Sequence, residues 1–263
     1  MLPIKSTPPK ISVDSVSMLI YGRSKIGKST WCSHAPSALF LATEPGLNSL
    51  NVFQVEIRSW RDLQLACQEL QTGEHEFKTI VIDTIDNAYA LCSQHICAKH
   101  KVKHESDLAY GKGFHLVNAE FLRLLTKLAF LPYGLYLVSH AQEREIDTRT
   151  GKRTRMMPSL PGKAAQIVTG LVDIILFCDT HAEKNGDGKS VERRVMYTKP
   201  TEFYDAGDRT GRLPDTIPLN YDGFVEAFNS ESGLQPAQSI VDELEPAGQP
   251  IQKKEKNHVR GHG

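Results

Sequence analysis

The chain has 263 residues, 40% of them hydrophobic and 24% charged, which is enough apolar material for one sizeable core. Basic and acidic residues each number 31, so the formal net charge is zero. Bulk attraction to a polyanion or a membrane surface is thereby excluded, and any polyanion site has to be a local patch.

Residues 1–14 hold Pro3, Pro8 and Pro9 among polar residues where a signal peptide needs an apolar core, and they read as an extended lead-in. No apolar run reaches the ~18 residues of a membrane span. The five cysteines are odd in number and lie in apolar or helical stretches, which points to a reduced compartment, so a cytoplasmic protein is expected. Residues 16–21 form an apolar run of strand length. Behind it, Gly22-Arg23-Ser24-Lys25-Ile26-Gly27-Lys28-Ser29 fits the pattern G-x-x-x-x-G-K-[ST] at every fixed position, with Thr30 following and a helix able to begin there. This is the strand–loop–helix setting in which backbone N–H groups and a helix start cradle a triphosphate. Lys28 is expected to reach the β- and γ-phosphates of ATP and the Ser29 hydroxyl to bind Mg²⁺.

Further along, residues 38–42 form a short buried strand that ends at Thr43-Glu44-Pro45-Gly46, a turn. Residues 52–57 are a candidate strand. Residues 60–71 read as a helix, with Leu63, Ala66, Cys67 and Leu70 at 3–4 spacing, Ser59 as N-cap and Gly73 as its stop. Residues 79–84 are a continuous apolar strand closed by Asp83. Helices are expected over about 86–101 and 113–130. Residues 135–139 make the next buried strand, ending at His140. Residues 141–163 are polar and basic and read as a hairpin or mobile loop. Residues 172–178 and 191–198 are strands expected to pair across the Asn185-Gly186-Asp187-Gly188 turn. From about residue 229 the Gln, Pro, Glu, Lys and Gly content predicts a disordered tail, 229–263, behind a domain spanning 15–228.

Strands alternating with helices predict an α/β fold: a mostly parallel sheet with helices on both faces and a C-terminal antiparallel hairpin. Ligands in such sheets lie at the carboxyl ends of the strands, so Glu44, Asp83 and His140 should converge on the P-loop. Asp83 is placed to hold the Mg²⁺ shell with Ser29; a strand-end carboxylate can equally cap the next helix. Glu44 is placed to polarise an attacking water, or is a turn residue before Pro45. In the 141–163 stretch Arg144, Arg149, Lys152, Arg153, Arg155 and Lys163 outnumber Glu143, Glu145 and Asp147, a pattern suited to nucleic-acid phosphates or to a solvated hairpin. Cys92, His95, Cys97, His100 and His104 match no finger spacing and read as ordinary helix residues.

The P-loop together with Leu39-Phe40-Leu41-Ala42-Thr43-Glu44, Thr79-Ile80-Val81-Ile82-Asp83-Thr84, Ala109-Tyr110-Gly111-Lys112, Val138-Ser139-His140 and Leu160-Pro161-Gly162-Lys163-Ala164-Ala165 resembles phage-encoded RecA-like ATPases. More narrowly, the set is similar to the Sak-type single-strand annealing recombinases. The resemblance spans roughly residues 16–200. It implies a RecA-like P-loop core, Glu44 as catalytic base, His140 as sensor of the γ-phosphate, and a DNA-facing loop at about 141–163. It also implies Lys199 as a candidate acting on a neighbouring subunit's γ-phosphate. RecA itself carries an amide where His140 stands. The expected partners are single-stranded DNA, further copies of the chain and a single-strand binding protein, with no membrane, in the cytoplasm of a phage- or prophage-carrying host. Turnover would be DNA-stimulated. A nucleotide or small-molecule kinase, or a nucleotide-gated adaptor in DNA packaging, partition or repair, remains the alternative.

Overall fold

The computed structural model describes residues 12–148, 151–184 and 190–230. The expected lead-in up to residue 11, Arg149, the turn at 185–189 and the tail from 231 lie outside the described residues. The chain order is β1 (Ser17–Gly22), α1 (Lys28–Ser33), β2 (Ala38–Ala42), β3 (Phe53–Glu56), α2 (Trp60–Thr72), β4 (Thr79–Asp83), α3 (Ile85–His100) and α4 (Lys112–Ala129). It continues with β5 (Gly134–Thr148), β6 (Gly151–Pro158), α5 (Gly162–Leu171), β7 (Ile174–Lys184), β8 (Ser190–Tyr197), β9 (Gly207–Asp208), β10 (Thr216–Pro218) and α6 (Tyr221–Asn229).

The sheet order is β10-β8-β7-β1-β5-β4-β2-β3. From β3 to β7 neighbouring strands run parallel. β8 is antiparallel to β7, and β10 to β8. The apolar runs are continuous because the parallel strands bury both faces. Along β1, Leu19 and Tyr21 join the layer made with α2, α3, α4 and α5, while Met18 and Ile20 join the layer made with α1 and α6. The expected α/β architecture, a mostly parallel sheet with helices on both faces and an antiparallel hairpin late in the chain, is the one observed. The short helix α2 shows how local chemistry sets its ends. Ser59 Oγ accepts from the Asp62 N–H at 3.2 Å while Asp62 accepts from the Ser59 N–H at 2.8 Å, and Gly73 closes the helix at φ 71°.

The structure corrects the sequence reading at two places. β5 does not end at His140; it runs on to Thr148 and folds back as β6, so the 141–163 stretch is a hairpin leading into α5. The extension is strand because Gln142 to Asp147 alternate with period two, but neither face is apolar and a hydrophobic-run criterion stops at His140. α5 and α6 were the helices that reading left unassigned. α6 begins on Asn220, whose Oδ1 accepts from the Gly223 N–H at 2.6 Å. Its Phe224 is fully buried and packs edge-on against Trp31 of α1, with ring centroids 5.2 Å apart.

That contact joins the last described helix to the helix behind the P-loop. Phe224→Ala should therefore destabilise the fold by about 3–5 kcal/mol. Chemical denaturation of the variant beside the unaltered chain measures the loss.

Candidate active site

β1 delivers the P-loop to the carboxyl edge of the sheet, between β5 and β7. Gly22 is required by space: a Cβ there would lie 2.5 Å from the Cys178 carbonyl oxygen of β7. Gly27 is required by conformation, at φ 119°. Lys28 follows as the first residue of α1 and is only 5% exposed. Its Nζ donates to the carbonyls of Gly22 and Arg23, each at 2.9 Å, so the loop curls around its own lysine. Burial lowers the Lys28 pKa; the charges of Cys178, Asp83, Asp86 and Glu44 oppose that shift.

On the other flank, Ala42, Asp83 and Val138 are in register across β2, β4 and β5. The residues that leave these strands therefore meet. Ser29 Oγ donates to Asp83 Oδ2 at 2.6 Å. Burial raises the Asp83 pKa, and the Ser29 hydrogen bond works against it. Glu44 is held through one oxygen by Asn87 Nδ2 at 2.9 Å, and its other oxygen lies 3.6 Å from His140 Nε2. His140 Nδ1 is 3.2 Å from Ser24 Oγ of the P-loop. Asp86 fixes the root of the hairpin by accepting from Ser139 Oγ at 2.8 Å and from the His140 N–H at 2.9 Å. Ser24, Lys25, Gly27, Lys28, Ser29, Thr30, Glu44, Asp83 and His140 line one cavity of about 490 Å³; Ile26, in the same loop, is buried beneath it.

The donor set suits a magnesium–nucleoside triphosphate. A buried ammonium faces the cavity, a hydroxyl–carboxylate pair stands beside it, and Thr84 Oγ1 in the lining is buried without a hydrogen-bond partner. Among the described residues no three His, Cys, Asp or Glu side chains form a metal cage. A hydrated Mg²⁺ bound through Ser29, Asp83 and phosphate oxygens needs none.

The basic residues of the hairpin are not brought to one surface. Cross-strand pairing puts Arg144 opposite Arg155 and Ile146 opposite Arg153, all on one face, whereas Lys152 shares the other face with Glu143, Glu145 and Asp147. Each described cation already has an acceptor in the chain. Arg144 donates to the Leu160 carbonyl, Lys152 pairs with Glu145, Arg153 with Glu202, and Arg155 with Asp205 at 2.6 Å. Lys163, at the start of α5, is 3.5 Å from Gln166 Oε1. The cationic excess read from the sequence is thus divided between the two faces of the hairpin. Lys199 Nζ lies 3.9 Å from Asp208 Oδ2, and Asp208 is in register with Ile174 and hence with Met18 of β1. Asp208 is thus level with the amino-terminal ends of β1 and β7, the opposite edge of the sheet from this chain's own P-loop.

Asp86, Asn87 and Arg194 escaped the sequence reading. The two helix residues follow Asp83 closely, and their proximity to a strand-end carboxylate was the available signal. Arg194 of β8 donates to the Ile26 carbonyl at 3.2 Å, a contact with no local sequence signature.

The model of a family described as AAA domain matches residues 14–210. The SPbeta prophage-derived uncharacterized protein YorG of Bacillus subtilis (strain 168) is 22% identical over 221 residues, which cover 80% of this chain and 66% of that protein, just under two thirds of its length. The flagellar accessory protein FlaH from Methanocaldococcus jannaschii aligns with 12% identity and a TM-score of 0.42, covering 78% of this chain and 84% of the other. No helix among the described residues is long and apolar enough to cross a membrane.

Asp83 yields a prediction with a definite sign. Its raised pKa means the buried carboxylate opposes folding wherever it is ionised, and that penalty is relieved as pH falls through the raised value. Asp83→Asn should be no less stable than the unaltered chain near neutral pH, with any advantage shrinking toward about pH 4. Its affinity for a Mg²⁺-loaded nucleotide should meanwhile drop roughly 10–100-fold. Thermal melts at the two pH values and a nucleotide titration test the two halves separately.

Proposed function

Because the chain belongs to the AAA domain family, whose model covers residues 14–210, we propose that it is an ATPase that binds and hydrolyses Mg²⁺-ATP at this P-loop. The observation that carries the reading is the Ser29–Asp83 hydrogen bond beside buried Lys28, with Glu44 across the same cavity. The carbonyls of Gly22 and Arg23 release the Lys28 ammonium to the β- and γ-phosphate oxygens. Ser29 and Asp83 would hold Mg²⁺, which when bound would supply charge neutralisation at those oxygens. Glu44 takes the proton of a water that attacks the γ-phosphorus as the bond to the bridging oxygen breaks. Asn87 and His140 keep that carboxylate aimed. Burial suits this chemistry, since every charge–charge contact is stronger where water is excluded.

The output element of the proposal is the β5–β6 hairpin. It grows directly out of His140, which touches both Ser24 and Glu44, so a change at the γ-phosphate is transmitted to its root. Single-stranded DNA is the proposed partner, bound on the face bearing Arg144, Arg153 and Arg155, in phage-type recombination or annealing. The relative encoded in a prophage supports that setting. Copies of the chain acting together, with Lys199 of one reaching the nucleotide of another, and a single-strand binding protein as companion belong to the same proposal. A second reading, transfer of the γ-phosphate to a small acceptor, is favoured by one feature. A further cavity of about 330 Å³ adjoins Glu44, lined by Thr43, Asn48, Gln54, Glu56 and Arg58.

Lys28→Ala should abolish nucleotide binding without unfolding the chain, and equal affinity in the variant would remove the P-loop from the proposal. Glu44→Gln should keep ATP binding and lose turnover by about 10²–10⁴-fold. Phosphate release with and without single-stranded DNA decides the partner: stimulation supports recombination, while phosphate appearing on a small acceptor supports the second reading.

A further inference from the structure

The basic face of the β5–β6 hairpin is closed by the chain's own carboxylates. Residues 201–205 (Thr-Glu-Phe-Tyr-Asp) turn back over β6. The Met156 N–H donates to the Phe203 carbonyl at 2.7 Å, and the Asp205 N–H donates to the Met156 carbonyl at 3.4 Å. The turn is anchored from behind. The Tyr204 ring lies 5.0 Å from Phe177 and 4.7 Å from Tyr197, and the buried Tyr21 hydroxyl donates to the Asp205 carbonyl. From this fixed backbone Glu202 reaches Arg153 and Asp205 reaches Arg155. Two arginines two residues apart on one strand face, about 6.6 Å along the strand, thus each meet an anionic group presented by a separate segment.

We propose that this turn is an internal competitor, its Glu202 and Asp205 carboxylates standing where the phosphates of a nucleic-acid strand bind, so that the chain holds its own polyanion site closed. The inference rests on the proposal that single-stranded DNA is the partner. Two observations favour a displaceable contact over a purely structural one. The Arg153 and Glu202 side chains are 43% and 50% exposed, so water and salt weaken their pairing. Arg155 Nε is buried with no hydrogen-bond partner, although its terminal nitrogen contacts both Asp205 and the Tyr204 carbonyl at 3.1 Å. The closed arrangement therefore leaves one donor of that guanidinium unused, and a phosphate offering several oxygens can satisfy it. The backbone of the turn need not move, since long arginine side chains can swing from carboxylate to phosphate. The neutral charge balance of the whole chain makes such local masking effective, because no surrounding positive field offsets it.

The test pairs Glu202→Gln with Asp205→Asn, substitutions that keep size and backbone bonding while removing the competing charge. Binding of a labelled oligothymidylate is followed by anisotropy between 50 and 200 mM salt (roughly the range over which counterion release dominates). The double variant should bind about tenfold more tightly than the unaltered chain. Its slope of log affinity against log salt should steepen by up to about 1.4, or 0.7 for each of two phosphates. Adding Arg153→Ala and Arg155→Ala should cancel the gain, while the Glu202→Gln/Asp205→Asn chain by itself should keep its basal ATP turnover. If the unaltered chain binds the oligonucleotide and the double variant binds it with the same affinity and slope, the masking is wrong and DNA binds elsewhere. If neither binds in any nucleotide state, the DNA reading falls and the masking falls with it.

Discussion

Everything at the carboxyl edge of the sheet depends on keeping one ammonium charge out of water. Lys28 is buried beneath a loop that offers it two of its own carbonyls, with Cys178 and the carboxylates of Asp83, Asp86 and Glu44 also opposing the cost of burial. Burying an unpaired charge is expensive, so the surroundings have to supply acceptors at fixed distances. That demand fixes the rest. Gly22 must lack a side chain so that β1 can close on Cys178; Gly27 must adopt a conformation other residues avoid; β4 and β2 must end in register so that their carboxylates arrive together. Asp83 shows the same cost from the opposite sign, with burial pushing its pKa up while Ser29 pulls it down. The proposed polyphosphate with its magnesium would answer both residues at once.

The parts of this site carried by rigid patterns were legible before any coordinates. The P-loop follows from fixed residue types at fixed spacing, and the meeting of Glu44, Asp83 and His140 follows from the rule that parallel strands present their ends together. What escaped is equally instructive. Asn87 and Asp86 act through hydrogen bonds to residues far off in sequence, Glu44 and His140, and no local pattern encodes partners 43 and 54 positions away. Arg194 reaches the P-loop only because β8 folds beside β7. α6 lacked a signal strong enough to compete with the polar tail that follows, although Phe224 and Phe228 prove to be core residues.

The hairpin illustrates a different limit. Counting cations over residues 141–163 gives an excess of positive charge, but a strand sorts alternate residues to opposite faces. Arg144, Arg153 and Arg155 fall on one side; Glu143, Glu145 and Asp147 fall on the other, with Lys152 among them. The sum of charges hides a segregation that the alternation Glu-Arg-Glu-Ile-Asp already contains, once the segment is recognised as strand. What the alternation cannot contain is Glu202 and Asp205, which return from beyond β8 to pair with the arginines.

These two levels of organisation share one element. His140 belongs to the cavity through Ser24 and Glu44 and to the hairpin through the continuous backbone of β5. Asp86 clamps it from α3 through the main-chain N–H, which leaves the imidazole to Ser24 and Glu44. The same hairpin is tied at its far side to the 201–205 turn, and that turn is stacked on Phe177 of β7, beside the P-loop strand. β1 therefore lies between the two attachments, with Tyr21 bonded to the turn and Gly22 opening the phosphate loop in adjacent positions. Coupling between sites requires an element whose alternatives both sites bias. On the proposed reading the β5–β6 hairpin is that element: the γ-phosphate would act at its root through His140, and competition for Arg153 and Arg155 would act along its length.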